Sequence, residues 1–291
     1  MSGREPGQAR AAAVLVGPAI VLVVALVVAP GLLAFAGSLF RIRLSNNDWA
    51  WRGLGNYSDL LSDPAVLQAL GNTVVYSVLM IVPSLVIGLG LALLADSLRR
   101  GRALVRILLF LPFTANLVAM AVVFRWIFAV RGGFANELLA VLGLGPLSYL
   151  GDERFALPTV AAVGVWRGAA LCMVLFLAGM ASIPTAVHEA CAADGVTGLA
   201  KLRLVTLPLL RPIVLFATVV TVLQAVQVFD TINVMTGGGP LGATETALTM
   251  TWRLGFTYFE LGRAAALSVL LLVVLIAVGL LRRRSFQTGA R

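Results

Sequence analysis

Uncharged runs long enough to cross a bilayer occupy most of this 291-residue chain. Ala11 to Phe40 carries no charge for 30 positions, and Pro64 to Ala95 none for 32. Ile107–Phe124, Pro212–Phe229 and Ala264–Leu281 each run for 18. Phe155–Trp166 and Gly168–His188 are parted only by Arg167 and read as one helix with a short lead-in. A helix needs about 20 apolar residues to span the hydrocarbon, and only internally bonded backbone survives there. The windows therefore predict an all-α integral membrane protein with six transmembrane helices. Pro64–Ala95 counts once, as a span plus an approach segment, because no polar turn divides it. A charged fraction of 12%, against about 25% in soluble domains, leaves too little polar surface to cover a water-soluble globule.

The few charges orient the spans, because cytoplasmic flanks carry the excess of Lys and Arg. With both termini in the cytoplasm, the inner set is Arg4, Arg10, Arg99, Arg100, Arg102, Arg106, Lys201, Arg203, Arg211, Arg282, Arg283, Arg284 and Arg291. The outer set is Arg41, Arg43, Arg52, Arg125, Arg131, Arg154, Arg253 and Arg263. Four carboxylates lie inside and nine outside, so the inner face nets +9 and the outer −1. The basic balance is thus a topology signal and gives no reason to expect nucleic acid. This divides the chain into a cytoplasmic tail at 1–10, a membrane domain at 11–281 and a basic cytoplasmic tail at 282–291. The first apolar run exceeds the 7–15 residues of a signal-peptide core, so an uncleaved first helix is expected. Outer loops near 41–63, 131–154 and 230–263 are too short for separate domains. Cys172 and Cys191 supply neither a disulfide framework nor a metal-ligand cluster.

The inventory for catalysis is poor. Lys201 is the one lysine and stands between Ala200 and Leu202, so the phosphate-cradling Gly-Lys-Ser/Thr turn is missing. His188, the one histidine, has no Gly-x-Ser-x-Gly partner and reads as a loop residue. Carboxylate relays, the usual mark of ion-coupled transport, are absent from all six windows. Arg167 is the one ionisable group well inside a span, and is either a functional site or a side chain snorkelling from the outer end of its helix. Thr221, Gln224, Gln227 and Thr231 follow at steps of three, three and four, which puts them on one helical face. Such a stripe either lines a pathway for a hydroxyl-rich neutral solute or bridges helices. Asn72, Tyr76, Asn116 and Trp166 are further candidates for the same pathway.

The cytoplasmic segment between the fourth and fifth spans reads Ile183-Pro184-Thr185-Ala186-Val187-His188-Glu189-Ala190-Cys191-Ala192-Ala193-Asp194-Gly195, then Leu207-Pro208-Leu209-Leu210-Arg211-Pro212. Thr185 can cap a short helix through Ala193, and Gly195 can end it in the left-handed conformation. Composition alone leaves this helix as either a connector or a knob for another protein. At this point the sequence resembles the inner-membrane permease subunits of binding-protein-dependent ABC importers. Their cytoplasmic signature is Glu-Ala-Ala, three residues, Gly, nine residues, Ile, one residue, Leu-Pro. Glu189, Ala190, Gly195, Leu207 and Pro208 stand at those spacings, with Cys191 for the second Ala and Val205 for the Ile. Val228–Pro240, with its Thr236-Gly237-Gly238-Gly239-Pro240 turn, and the later Phe256 and Gly262–Ala266 look like the carbohydrate branch related to maltose-type permeases.

The resemblance implies a type I importer permease fold and a multi-pass protein of the bacterial cytoplasmic membrane. The loop at 182–211 would carry the coupling helix. Glu189, Ala190 and Gly195 would form its ATPase-docking core, with Cys191 and Asp194 in the same segment. It also implies partners: a second homologous permease, two cytoplasmic ATPase subunits that bind ATP and magnesium, and an extracytoplasmic solute-binding protein. No cofactor is expected in this chain, and it is not expected to be an enzyme. Gly237, Gly238, Gly239 and Pro240 would touch the binding protein or form part of an outer gate. The implied cargo is a disaccharide or oligosaccharide first, and glycerol 3-phosphate or a glycerophosphodiester second. A stand-alone channel or secondary carrier for a polar neutral solute is the competing function.

Overall fold

The computed structural model describes residues 6–43, 48–98 and 100–288. Of the charges counted above, Arg4, Glu5, Arg99 and Arg291 lie outside the described residues, as do the side chains of Arg10, Asp48 and Arg282–Arg284. In chain order the elements are α1 (Pro6–Val23), a π-turn (Val24–Val28), α2 (Ala29–Ser38), strands β1 (Phe40–Arg43) and β2 (Asp48–Trp51), α3 (Gly55–Ser62) and α4 (Pro64–Ser97). There follow α5 (Arg102–Thr114), α6 (Leu117–Ile127), α7 (Phe134–Val141), α8 (Glu153–Ala181), α9 (Thr185–Ala193), α10 (Gly198–Lys201), a π-turn (Leu202–Thr206) and α11 (Leu207–Leu209). The last are α12 (Arg211–Val226), α13 (Asp230–Met235), α14 (Ala247–Trp252), a π-turn (Arg253–Thr257) and α15 (Leu261–Thr288).

Among the described residues three helices are long and apolar enough to cross a membrane unbroken: Val14–Ser38, Pro64–Ser97 and Glu153–Ala181. Leu261–Ala277 is a shorter apolar helix, and two helix pairs, each bent at a short break, are long and apolar enough only when taken together. The third window, expected to be one span, turns by 93° between α5 and α6. Asn116 makes the corner, since its Oδ1 accepts from the backbone N–H groups of Val118 at 3.0 Å and Ala119 at 3.1 Å and so starts a new helix. A second bend, of 72°, lies just before the fifth window, between Gly198–Leu209 and α12. Pro208 and Pro212 flank that elbow, and neither has an N–H to continue the ladder. The fold is all-α as expected apart from one short antiparallel ladder among the described residues, Phe40–Arg43 against Asp48–Trp51, with Phe40 opposite Trp51 and Ile42 opposite Trp49.

The described residues divide into two compact units. One comprises the chain up to Asp63 with Thr251–Leu272. Its centre is Asn56 of α3, 1% exposed, whose amide donates to the carbonyls of Ser38 and Phe40, both at 2.8 Å. These carbonyls lie where α2 ends and the hairpin begins, so one side chain satisfies both backbone groups freed by the change of structure. Gly262 completes the joint, since a Cβ there would stand 2.2 Å from the Phe40 carbonyl oxygen. Arg263 ties Asp63 at 2.6 Å and Glu260 at 2.9 Å, and Glu260 also meets Arg43 at 2.9 Å.

The other unit comprises Pro64–Met250 with the chain from Val273. Its long seam joins α4 to α8. The buried positions of α4 include Ala69, Thr73, Tyr76, Met80, Ser84, Gly88, Ala92 and Ala95, a stripe at steps of three and four. Glycines let the backbones close on each other. A Cβ at Gly88 would lie 2.4 Å from the Cβ of Cys172, one at Gly164 2.6 Å from the Tyr76 hydroxyl, and one at Gly168 2.6 Å from Ser84 Oγ. In lipid, helices gain little from hydrophobic burial against one another, so small residues and close contact carry the association. Cys172 and Cys191 are both free and buried, as apolar fillers.

Two substitutions test these joints by thermal unfolding of the detergent-purified protein. Gly88→Leu forces α4 from α8 and lowers stability by at least ~1–3 kcal/mol, while Gly90→Ala on the same helix, with nothing within 4 Å of its Cβ, has no destabilising effect. Asn56→Ala strands two buried carbonyls and costs about 1–3 kcal/mol for each.

Candidate functional site

A cavity of about 200 Å³ opens beside the α4/α8 seam. Tyr76 and Met80 of α4, Leu117 and Met120 of α6, Gly164 and Arg167 of α8, and Gln224 of α12 line it, together with Gln227–Thr231. Arg167 sits fourteen residues into α8, roughly 21 Å along the axis at 1.5 Å per residue, which places it at the middle of the helix. Its side chain therefore starts from the midpoint of α8 and not from either end. Its guanidinium carbon stacks 4.9 Å from the centroid of the Phe113 ring, and its Nε is buried without a hydrogen-bond partner. Gln224 Oε1 is likewise buried and unpartnered. An unmet buried polar atom costs free energy, so a donor and an acceptor stand ready in this cavity for a polar guest.

The polar stripe is regrouped by a break in its helix. α12 ends at Val226 with Gln227 as its cap, and Phe229 has φ −138° and ψ −63° before α13 begins. The four residues therefore do not share one continuous helical face. Gln224, Gln227 and Thr231 still reach the cavity, because the irregular turn carries the last two back towards it. Non-helical backbone at membrane depth is tolerated where it lines a cavity or is buried in protein. Thr221 is 0% exposed and turned onto its own helix, donating to the carbonyls of Ala217 at 2.9 Å and Thr218 at 3.1 Å; it does not line the cavity.

Tyr76 and Arg167, from the remaining candidates, join the cavity, and three others have separate tasks. Asn116 caps α6. Asn72 donates to the carbonyls of Gly242 and Glu245 at 2.8 and 2.9 Å. Trp166 packs edge-to-face with Phe124 at 5.2 Å. Asp230, Met80, Met120 and Gly164 were not singled out from the sequence. Asp230 had been counted as an outer-loop charge, and the one available signal was its place directly after the fifth uncharged window.

The short helix after the fourth span is α9, and its stop is the expected one. Gly195 has φ +70°, its N–H donates to the Ala192 carbonyl at 3.2 Å, and the Val196 N–H donates to the Cys191 carbonyl at 2.8 Å. These two bonds form a Schellman closure. The start differs: Pro184 occupies the N-cap, without a side-chain cap, and Thr185 is already helical. Glu189, Ala190, Asp194 and Gly195 are exposed, whereas Cys191 is buried and supports the helix from beneath. His188 faces a separate cavity with Lys201 and Asp96.

The glycine-rich turn is held from two sides. Thr236 and Thr244 share a hydroxyl contact of 2.8 Å, and Thr244 donates to the Gly239 carbonyl at 2.7 Å. Thr73 of α4 accepts from the Ala247 N–H at 2.8 Å, which with the Asn72 bonds pins the turn to α4. Gly237 and Gly238 adopt φ +60° and +86°. Of Gly237, Gly238, Gly239 and Pro240 only Gly237 is exposed, while Leu241 stands out at 84%.

The chain is similar to known transport proteins along nearly its whole length. It is 33% identical over 91% of its length to the sn-glycerol-3-phosphate transport system permease protein UgpA of Agrobacterium fabrum, covering 90% of that protein. To the trehalose/maltose transport system permease protein MalF of Thermococcus litoralis it is 29% identical, with 93% and 91% of the two chains covered. A chain of the bacterial alginate ABC transporter, crystallised with an alginate pentasaccharide-bound periplasmic protein, superimposes with a TM-score of 0.79 at 21% identity over 93% of each chain, and so shares the fold. The family profile described as the binding-protein-dependent transport system inner membrane component matches residues 73–287. With that match added to the break-lined cavity and the exposed loop helix, the chain belongs to the family of inner membrane components of binding-protein-dependent transport systems.

Proposed function

We propose that this chain is the permease subunit of an ATP-driven importer and forms half of a pathway for a sugar. The cavity beside the α4/α8 seam is the observation that carries this reading. Its donors and acceptors, Arg167, Tyr76, Gln224, Gln227 and Thr231, suit a solute covered in hydroxyls. The named cargoes of its relatives include trehalose/maltose and sn-glycerol-3-phosphate. A disaccharide or oligosaccharide is the first choice, because one guanidinium supplies little fixed charge for a phosphate. Glycerol 3-phosphate or a glycerophosphodiester is the second choice, favoured by that same unpaired Nε of Arg167.

In this reading the chain crosses the bacterial cytoplasmic membrane six times with both termini inside, the bent pairs and Leu261–Ala277 being spans three, five and six. It pairs with a second homologous permease. α9 then projects from the cytoplasmic face, presenting Glu189, Ala190, Asp194 and Gly195 to an ATPase subunit. ATP closes the ATPase pair, α9 moves with it, and the helices on either side of the cavity rock so that it opens outward. The solute-binding protein delivers cargo on that side, where Gly237, with Gly238, Gly239 and Pro240 behind it, is placed to meet it or to act as a gate. A channel or secondary carrier would have no use for an exposed, glycine-terminated loop helix.

Two experiments on the assembled transporter test this. Gly195→Pro, which cannot adopt the left-handed φ, and Glu189→Lys should abolish both ATP-driven uptake and ATPase co-purification; normal levels of both would remove the docking role. Gln224→Leu and Gln227→Leu should lower uptake roughly tenfold or more if each loses about 1.4 kcal/mol of contact with cargo, without releasing the ATPase. Thr221→Val, one turn away but bonded to its own helix, should transport normally. Uptake that persists without ATP or a binding protein would instead favour a channel.

A further inference from the structure

The elbow that joins the loop segment to α12 borders a third, open and unassigned cavity of about 410 Å³. Arg203, Leu207, Pro208, Arg211, Val214 and Leu215 line it. On a straight helix Arg203 and Arg211 would be about 12 Å apart along the axis, at 1.5 Å per residue. Here the 72° bend between Gly198–Leu209 and α12 wraps both around one hollow. Neither arginine has an ion-pair or hydrogen-bond partner among the described residues. Arg211 also opens the sixteen-residue α12, and the positive end of that helix adds to the same field.

The rest of the wall is apolar. Leucine, valine and proline side chains face the same hollow as the two cations, and around it Leu204, Leu209 and Phe216 are 71%, 48% and 50% exposed. A small inorganic anion would satisfy the arginines and leave the apolar wall wet. A neutral lipid would cover the wall and leave both guanidinium groups without a net countercharge. A molecule with a phosphodiester at one end and hydrocarbon at the other fits both halves. We propose that this elbow binds an anionic phospholipid, with Arg203 and Arg211 on the phosphodiester and the acyl chain against Leu207, Val214 and Leu215. Basic pockets beside membrane helices attract such headgroups on the cytoplasmic side. Placing the elbow at that leaflet rests on the orientation proposed above, but the chemistry of the cavity does not. The bound lipid would brace the one stretch of chain that links α9 to the cavity-lining end of α12.

The test uses the assembled transporter, with native mass spectrometry after exposure to dioleoylphosphatidylglycerol or dioleoylphosphatidylcholine. The wild type should retain phosphatidylglycerol in preference to phosphatidylcholine. Arg203→Gln and Arg211→Gln should each weaken that retention about fivefold, the factor equivalent to ~1 kcal/mol per basic residue near an anionic leaflet, and the double variant should lose the preference. Co-purification of the ATPase at wild-type levels verifies that the variants fold. Equal retention by the wild type and the double variant, or saturation by inorganic phosphate with no phospholipid preference, overturns the site. Uptake in phosphatidylcholine vesicles should rise on adding phosphatidylglycerol for the wild type and not for the double variant; equal rises overturn the bracing role. Absent uptake in every lipid, with phosphatidylglycerol still retained, would count against the importer function and leave the lipid site standing.

Discussion

The close approach of α4 to α8 is the contact on which the membrane-embedded part of this protein depends. At Gly88, Gly164 and Gly168 the space that a Cβ would need is already held by Cys172, Tyr76 and Ser84. Because hydrocarbon solvates leucine as well as another helix does, the seam is held by contact at short range. That contact also has a directional consequence. Gly164 and Arg167 are three residues apart on α8, so the turn that seats Gly164 on Tyr76 also turns Arg167 to the same cavity. The seam thus positions two of the polar groups in the cavity without any bond between them.

Breaks in helices do the rest. Asn116 starts α6 at a right angle to α5, Pro208 and Pro212 bend the approach to α12, and the irregular turn after Val226 brings Gln227 and Thr231 to the cavity. Each break frees backbone groups, and each is found where side chains or a polar cavity can take them up. α9 is the opposite case, a helix closed cleanly at its C-terminus by Gly195. A stop with both terminal bonds made keeps a nine-residue helix intact in water, where a free peptide of that length would be marginal.

Much of this was legible from charge spacing and two motifs. The uncharged windows locate the long apolar helices α4 and α8, and the Glu189 to Pro208 spacing identifies the loop helix and its end. What spacing could not supply was the path of the chain within a window. The third window looks like a uniform apolar run yet turns sharply at Asn116, and the fifth is entered through a 72° elbow and breaks again after Val226, since a proline or an asparagine is compatible with either a kink or a continuous span until its neighbours are known. The polar stripe suffered in the same way. Periodicity assigns Thr221 and Thr231 to one face only if the helix is unbroken, and Thr221 spends its hydroxyl on its own backbone.

The sequence alone determined the apolar character of this protein and the location of the Glu189–Pro208 motif, because these follow from composition and from spacing over a few residues. The tertiary structure decided which polar groups share a cavity, which side of α9 is free and which breaks become corners. Those outcomes depend on distances between residues far apart in the chain. Asn56 reaching back to Ser38 and Phe40, or Arg167 and Gln224 left unpartnered in one cavity, are set by packing, and no local pattern encodes them.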